Sequence, residues 1–206
     1  MMTREHFSLF YVNSAQHERR YLVGSRAVQW AITLVETTPR VKGWSFIDRK
    51  VPFMHAGRQC ETHLPIAAQV ARGRRQIWQV LPGFGGETER AAIAAGRHDA
   101  ESQNCDHVLV TERDLRDRPT EMLNRRAAHA LLDHASKWKS AEHESYLVVY
   151  LRERARTLGE LQDLLKLGRC EQMHVVFIRA WLRGLVRWDI NACRLTPSLL
   201  VEARRG

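Results

Sequence analysis

No Cys-x-x-Cys pair occurs in this chain: Cys60, Cys105, Cys170 and Cys193 are scattered through 206 residues. That spacing makes neither a disulfide framework nor the tight knuckle of a structural zinc site. No run approaches the roughly 20 apolar residues of a membrane span. The start, Met1-Met2-Thr3-Arg4-Glu5-His6, lacks the basic cap, apolar stretch and small-residue cleavage site of a signal peptide. A cytoplasmic protein with no membrane segment is therefore expected. Gly83, Gly85 and Gly86 stand without the Gly-Lys-Ser or Gly-Lys-Thr ending of a phosphate loop, and no dinucleotide signature follows them.

What is present is ordinary globular composition with a basic bias. Hydrophobic residues make up 44% and charged residues 27%, enough apolar surface for one compact domain or two small ones. The formal charge is +9. Residues 1–114 carry 15 basic and 12 acidic side chains, and residues 115–206 carry 17 and 11. Such an excess favours a polyanionic partner through long-range attraction to phosphates, against the plain alternative of solubility.

The first half reads as α/β. Phe7–Val12 is extended, and Tyr21, Leu22, Ser25, Val28, Ala31, Ile32 and Val35 recur at helical steps, which predicts a helix over 18–36. Thr37-Thr38-Pro39 ends it. Residues 41–47 and 50–53 are short extended segments. Residues 66–70 and 76–81 form a hairpin across Arg72-Gly73-Arg74, whose basic tip, Arg72, Arg74 and Arg75, suits a DNA backbone. A short helix over 87–96 and a strand over 106–110 follow, then an acidic helix start at Thr111-Glu112-Arg113-Asp114.

The second half is mostly helical. Residues 120–136 predict an amphipathic helix and residues 144–155 another. Thr157-Leu158-Gly159-Glu160 has capping-box spacing before Leu161, Leu164 and Leu165. Residues 172–183 form a further helix, with Gly184 as its stop, and residues 185–190 and 199–201 are short enough to be the strands of a wing. Three short helices followed by a hairpin is the winged form of helix-turn-helix architecture. Its second helix would present Arg169, Gln172, His174, Arg179 and Arg183 to double-stranded DNA, and its wing Arg187 and Arg194. Trp181 and Trp188 lie amid regular apolar patterning and read as core. A winged domain can also serve as a protein adaptor.

The phrases VLVTERDLR over 108–116, TLGELQDLL over 157–165, RAWLRGLVRWDI over 179–190 and RLTPSLLV over 194–201 resemble the TnsA-type subunit of heteromeric Tn7-like transposases. The resemblance implies a restriction-endonuclease-like α/β domain over 1–118, a connecting helix over 119–140 and a winged-helix-like domain over 141–206. It also implies transposon-end DNA, a DDE-type transposase and an AAA+ regulator as partners, and a Mg²⁺-dependent nuclease site that cuts the 5′ strand.

That site would need a helix glutamate, a strand aspartate and a Gln/Glu-x-Lys triplet, because carboxylates gather the Mg²⁺ that activates water. The aligned positions hold Val28 or Gln29, Leu64, and Gln79-Val80-Leu81. Leucine and valine offer a cation no oxygen ligand, so a degenerate nuclease is expected. A displaced active site built from Glu18, Glu61 and Gln79 is the alternative, and a winged-helix transcription regulator is a third reading. A weaker metal set is His55, Cys60, His63, Cys105 and His107, whose ligand types zinc would accept.

Overall fold

The structure, a computed structural model, describes residues 9–39, 41–81 and 85–204. The chain divides into two compact units, one running to Asp117, the other from Arg118 onward and including Thr37–Arg40. Each is a mixture of helix and strand, and the first carries a four-stranded mixed sheet.

Unit 1 opens with a hairpin, β1 (Phe10–Ser14) and β2 (Arg19–Val23), registered from Phe10↔Val23 to Ser14↔Arg19. A single helix over 18–36 was expected here. Instead Tyr21 and Val23 are buried while Arg20 and Leu22 are exposed, the period-two alternation of a half-buried strand. Helix α1 (Arg26–Glu36) starts only after Gly24-Ser25, where the Ser25 hydroxyl accepts from Ala27 N–H at 3.2 Å.

The main sheet follows. β3 (Val41–His55) and β4 (Arg58–Val70) are long antiparallel strands closed at Ala56-Gly57, both residues at positive φ (48° and 73°). A two-residue turn of that kind matches strand twist. The two segments expected over 41–47 and 50–53 are one strand, interrupted by a register shift between Phe46 and Arg49 where Asp48 adopts φ 45°. β5 (Arg75–Leu81) pairs antiparallel with β4 over Ile66↔Trp78 to Gln69↔Arg75. Helix α2 (Glu87–Ser102) then leads to β6 (Asp106–Thr111), parallel to β5, and the sheet order is β3-β4-β5-β6. The short helix α3 (Glu112–Asp117) is capped by the Thr111 hydroxyl, which accepts from Asp114 N–H at 3.1 Å.

Two apolar clusters lie on the two faces of this sheet. Trp78 and Val80 of β5 join α1 through Val28, Ala31, Ile32 and Val35, with Ile66 and Ala68 of β4. Ile77, one residue out of phase, joins Leu64, Ala100 and Cys105 beside α2. Leu64 and Ile66 would share a face in a regular strand, yet they sit in different clusters. Pro65 between them lies where β4 stops pairing with β5 and where β3 slips register, which is where proline is tolerated within a sheet.

Unit 2 comprises α4 (Pro119–His134), α5 (Ala141–Glu153), β7 (Arg156–Thr157), α6 (Leu158–Leu164), α7 (Cys170–Leu182), β8 (Val186–Arg187) and β9 (Leu200–Ala203). Its three strands are ordered β7-β9-β8, with both pairings antiparallel. The expected capping box is formed: Thr157 Oγ1 accepts from Glu160 N–H at 3.2 Å, and the Glu160 carboxylate accepts from Thr157 N–H at 2.7 Å. The helix expected as a connector is part of this core, because Ala128 of α4 is fully buried beside α7 and Leu131 and Leu132 pack there too. Among the described residues, no helix is long and apolar enough to cross a membrane.

Candidate functional site

Gln79 occupies the position where the resemblance to TnsA-type subunits implies a metal-binding amide, and its surroundings decide what it can do. It lies on β5, points toward α2 and is 0% exposed. Its Nε2 donates to Thr62 Oγ1 on β4 at 2.6 Å and to the Ala92 carbonyl on α2 at 2.8 Å. Its Oε1 accepts from His107 Nε2 on β6 at 2.8 Å, which fixes the ring tautomer. Burial pushes the His107 imidazole below its ordinary value, Arg97 acts in the same sense, and Glu101 opposes them. The approach of α2 is close: a Cβ at Gly96 would stand 2.5 Å from Gln79 Oε1.

Mg²⁺ does not fit this arrangement. Both amide protons and the amide oxygen of Gln79 are already engaged, and Leu64 and Leu81 are buried side chains without oxygen. Val28 is in the α1 core, and Gln29 Nε2 donates to the Tyr11 carbonyl at 3.0 Å. Glu18 and Glu61 do not complete a displaced site with Gln79. Glu18 is exposed in the β1–β2 turn, whose His17 is bonded to the Trp44 carbonyl in the α1-side cluster. Glu61 is exposed on the strand face opposite its neighbour Thr62, with Lys50 Nζ at 3.8 Å.

The wider metal set is dispersed as well. His63 Nε2 is 2.6 Å from Asp48 Oδ1, Cys105 donates to the Gln103 carbonyl, and His55 and Cys60 pair across the hairpin with Arg58 and Phe53. Among the described residues, no group of three or more His, Cys, Asp or Glu side chains is placed to hold a metal ion. In the glycine-rich segment, Gly83 lies outside the described residues, and the Gly85 N–H is taken by the Glu89 carboxylate.

At the basic hairpin tip, the side chain of Arg72 lies outside the described residues. Arg74 is paired with Asp106 at 2.6 Å, while Arg75 is exposed at the start of β5. Asp106 escapes a local reading because it arrives through the parallel register Gln76↔Asp106, thirty residues along the chain.

In unit 2, α7 departs from an open recognition helix. It packs against α4, α5, α6 and β8, and Met173, Val175, Val176, Phe177, Ile178, Ala180 and Trp181 are all buried. A helix apolar around most of its circumference is an interior element. Gln172 and His174 are half-buried, and His174 Nε2 stands 3.5 Å from Cys170 Sγ. Burial pushes the His174 imidazole below its ordinary value, against the pull of Glu171.

Arg179 is a clamp: its Nη1 donates to the Trp138 carbonyl at 2.5 Å and to Ser140 Oγ at 2.6 Å, and its Nη2 to the Ala135 carbonyl at 2.9 Å. Arg169 and Arg183 are exposed at the two ends of α7, the latter 2.9 Å from Glu144. Arg187 is exposed on β8 opposite Glu202, and Arg194 is exposed in the β8–β9 connection. That connection is held down by Asn124 of α4. Its Nδ2 donates to the Ile190 and Cys193 carbonyls at 2.8 and 2.9 Å, and its Oδ1 accepts from Leu195 N–H at 3.2 Å. Trp181 and Trp188 are buried and meet edge to face at 5.2 Å. Compared with known proteins, the chain matches no family model and no curated sequence.

Proposed function

We propose that this chain is a TnsA-like subunit of a heteromeric Tn7-like transposase that contributes DNA binding and assembly rather than strand cleavage. One observation carries the reading: two topologies follow one another in a single chain. Unit 1 runs helix, three antiparallel strands, helix, and a fourth strand parallel to the third. This is the arrangement a restriction-endonuclease-like core would have. Unit 2 runs helix, strand, helix, helix, strand, strand after α4, with its first and last strands adjacent in the sheet, as a winged-helix-like domain would.

The sealed state of Gln79 and the leucines at 64 and 81 support a non-cleaving role. Metal-held electrostatics supply most of the rate in phosphodiester hydrolysis by such folds, and no cluster of acidic, His or Cys side chains among the described residues would seat the metal. The strand chemistry would then belong to a DDE-type transposase partner and its control to an AAA+ regulator. Transposon-end duplex DNA would bind the basic surfaces.

The test is strand cleavage at a labelled transposon end, with Mg²⁺ or Mn²⁺, in the complex reconstituted from the adjacent genes. Strand joining that depends on this chain and is unchanged by Glu18→Ala and Glu61→Ala supports the reading. Cleavage of the 5′ strand that Glu18→Ala or Glu61→Ala abolishes would restore an active, displaced nuclease. Specific binding to its own promoter, without co-purification of a transposase, would favour a transcription regulator.

A further inference from the structure

We infer that unit 2 grips duplex DNA through a basic collar at the C-terminal end of α7 rather than along the length of that helix. The inference rests on the DNA-binding part of the proposed function and names the surface that performs it. Its starting point is the enclosure of α7 by α4, α5, α6 and β8. A helix reads the major groove by laying an exposed face into it, and α7 leaves only its two ends for a partner.

The C-terminal end is where cations gather. The three bonds from Arg179 fasten the α4–α5 turn to the last turns of α7, which brings exposed Lys137 and Lys139 there. Arg183 is the next residue beyond the helix and is exposed. Gly184, at φ 73°, stops the helix with its N–H on the Trp181 carbonyl, and an added Cβ there would lie 3.4 Å from Arg204 Nη1. Arg204 N–H in turn bonds the Leu185 carbonyl at 2.9 Å.

Five cations from three chain segments thus converge. Among the described residues, Lys137, Lys139 and Arg204 have no carboxylate within ion-pair distance. A structural explanation is that cations offset the negative end of a helix dipole, but that end carries only about half a charge. Glu144 is buried and engaged by Ser140 and Arg183. Lys137, Lys139 and Arg204 remain as exposed cations outside these ion pairs, more charge than the helix end requires.

The surface is also charged rather than apolar at its centre. Protein interfaces are depleted of charge at their cores, whereas sequence-independent phosphate contact is made by exposed Lys and Arg. Duplex DNA is therefore the partner this chemistry fits, ahead of a second protein.

The experiment is a salt titration of binding to a random-sequence 30-base-pair duplex, using the full chain. The wild type is compared with a Lys137→Ala/Lys139→Ala/Arg204→Ala variant and with Arg126→Ala/Arg152→Ala/Lys166→Asn, which removes equal charge elsewhere on unit 2. All six positions are exposed, so unfolding midpoints serve as the check on folding. Each lost phosphate contact lowers the slope of log K against log salt by about 0.9, so the collar variant should be shallower by about 2.7 and the control nearly unchanged. Equal slopes for the two variants would overturn the collar while leaving DNA binding intact. No retardation of any duplex by the wild type at low salt would overturn the collar together with the DNA-binding role. A collar variant that keeps the wild-type DNA slope but no longer retains the partner transposase would reassign the surface to protein contact.

Discussion

Gly96→Ala is the most discriminating single change in unit 1, because two effects of opposite sign meet at that position. In a helix interior alanine is favoured over glycine by about 1 kcal/mol, so α2 alone should be stabilised. The new Cβ, however, would meet Gln79 Oε1 at 2.5 Å, Cδ at 2.7 Å and Nε2 at 2.9 Å. The amide cannot swing aside without breaking bonds to Thr62, Ala92 and His107. Overpacking of this kind costs about 1–3 kcal/mol, so the net result in the wild-type background is a loss of up to about 2 kcal/mol. Gln79→Ala alone leaves three polar groups without their partner and opens a void, costing about 2–5 kcal/mol. In the Gln79→Ala background the obstacle is gone, and Gly96→Ala should stabilise by about 1 kcal/mol. The four chains form a double-mutant cycle with a coupling of about 1–3 kcal/mol, measurable by urea unfolding together with amide exchange in β5 and α2. Additivity within 0.5 kcal/mol (about the error for independent sites), or a Gly96→Ala chain more stable than the wild type, would refute the sealed amide.

Three further outcomes follow from the same reasoning. Asn124→Ala removes the side chain that holds three backbone groups of the β8–β9 connection, and should destabilise unit 2 by about 2–4 kcal/mol. Limited proteolysis should then cut within 188–199, and an uncut connection would count against the tether. Arg179→Leu strands two carbonyls and a hydroxyl at the α4–α5 turn and should cost about 2–4 kcal/mol; a Tm equal to the wild type would show that the clamp is idle. Finally, the folded-state pKa values of His107 and His174 lie below the ordinary 6.5 because of burial. The unfolded chain therefore binds more protons around pH 6, so their contribution is complete above about 6.5 and declines as pH falls through it. Thermal unfolding at pH 7.5 and 5.5 should show that loss, and a His107→Gln/His174→Gln chain should show less of it.

Much of the local structure was legible because it depends on near neighbours. The Thr157–Glu160 capping box, the turn between β4 and β5 and the start of α2 at Glu87 are all written within a few residues. The strand β2 was not, because Tyr21, Leu22 and Ser25 also satisfy a helical spacing. Only the sheet-side burial of Tyr21 and Val23 separates the two periods. The last six residues of α2, beyond Gly96, were missed for a related reason. A glycine reads as a stop, but here it marks the close approach of the Gln79 amide. Val175, Val176, Ile178, Ala180 and Leu182 already surround α7 in the sequence, and an apolar circumference signals an interior helix. What no local pattern could supply was the identity of its wall, since Arg179 finds acceptors 39 to 44 residues away and Asn124 finds partners 66 to 71 residues away.

Leu64 and Leu81, at positions where the TnsA-like resemblance implies a metal ligand and a lysine, are held by their own packing. Leu64 is fully buried with Ile77, Ala100 and Cys105, and Leu81 shares the α2-facing side of β5 with Ile77 and Gln79. A carboxylate at 64 would have to shed its water beside those apolar groups, which is costly unless a cation or several donors replace the lost hydration. A lysine at 81 would face the same demand on a strand face that α2 covers. Leucine at both positions is what this closed packing favours, and the bare backbone of Gly96 lets α2 come near enough to close it. Apolar side chains at 64 and 81 and the approach of the helix are thus mutually dependent. Introducing one charged residue there would bury it unpaired without opening the space that a metal and a phosphodiester must share. The proposed assembly role asks for no such space, and the two buried leucines add about 1.5–3 kcal/mol apiece to the stability of the fold that would present the binding surfaces.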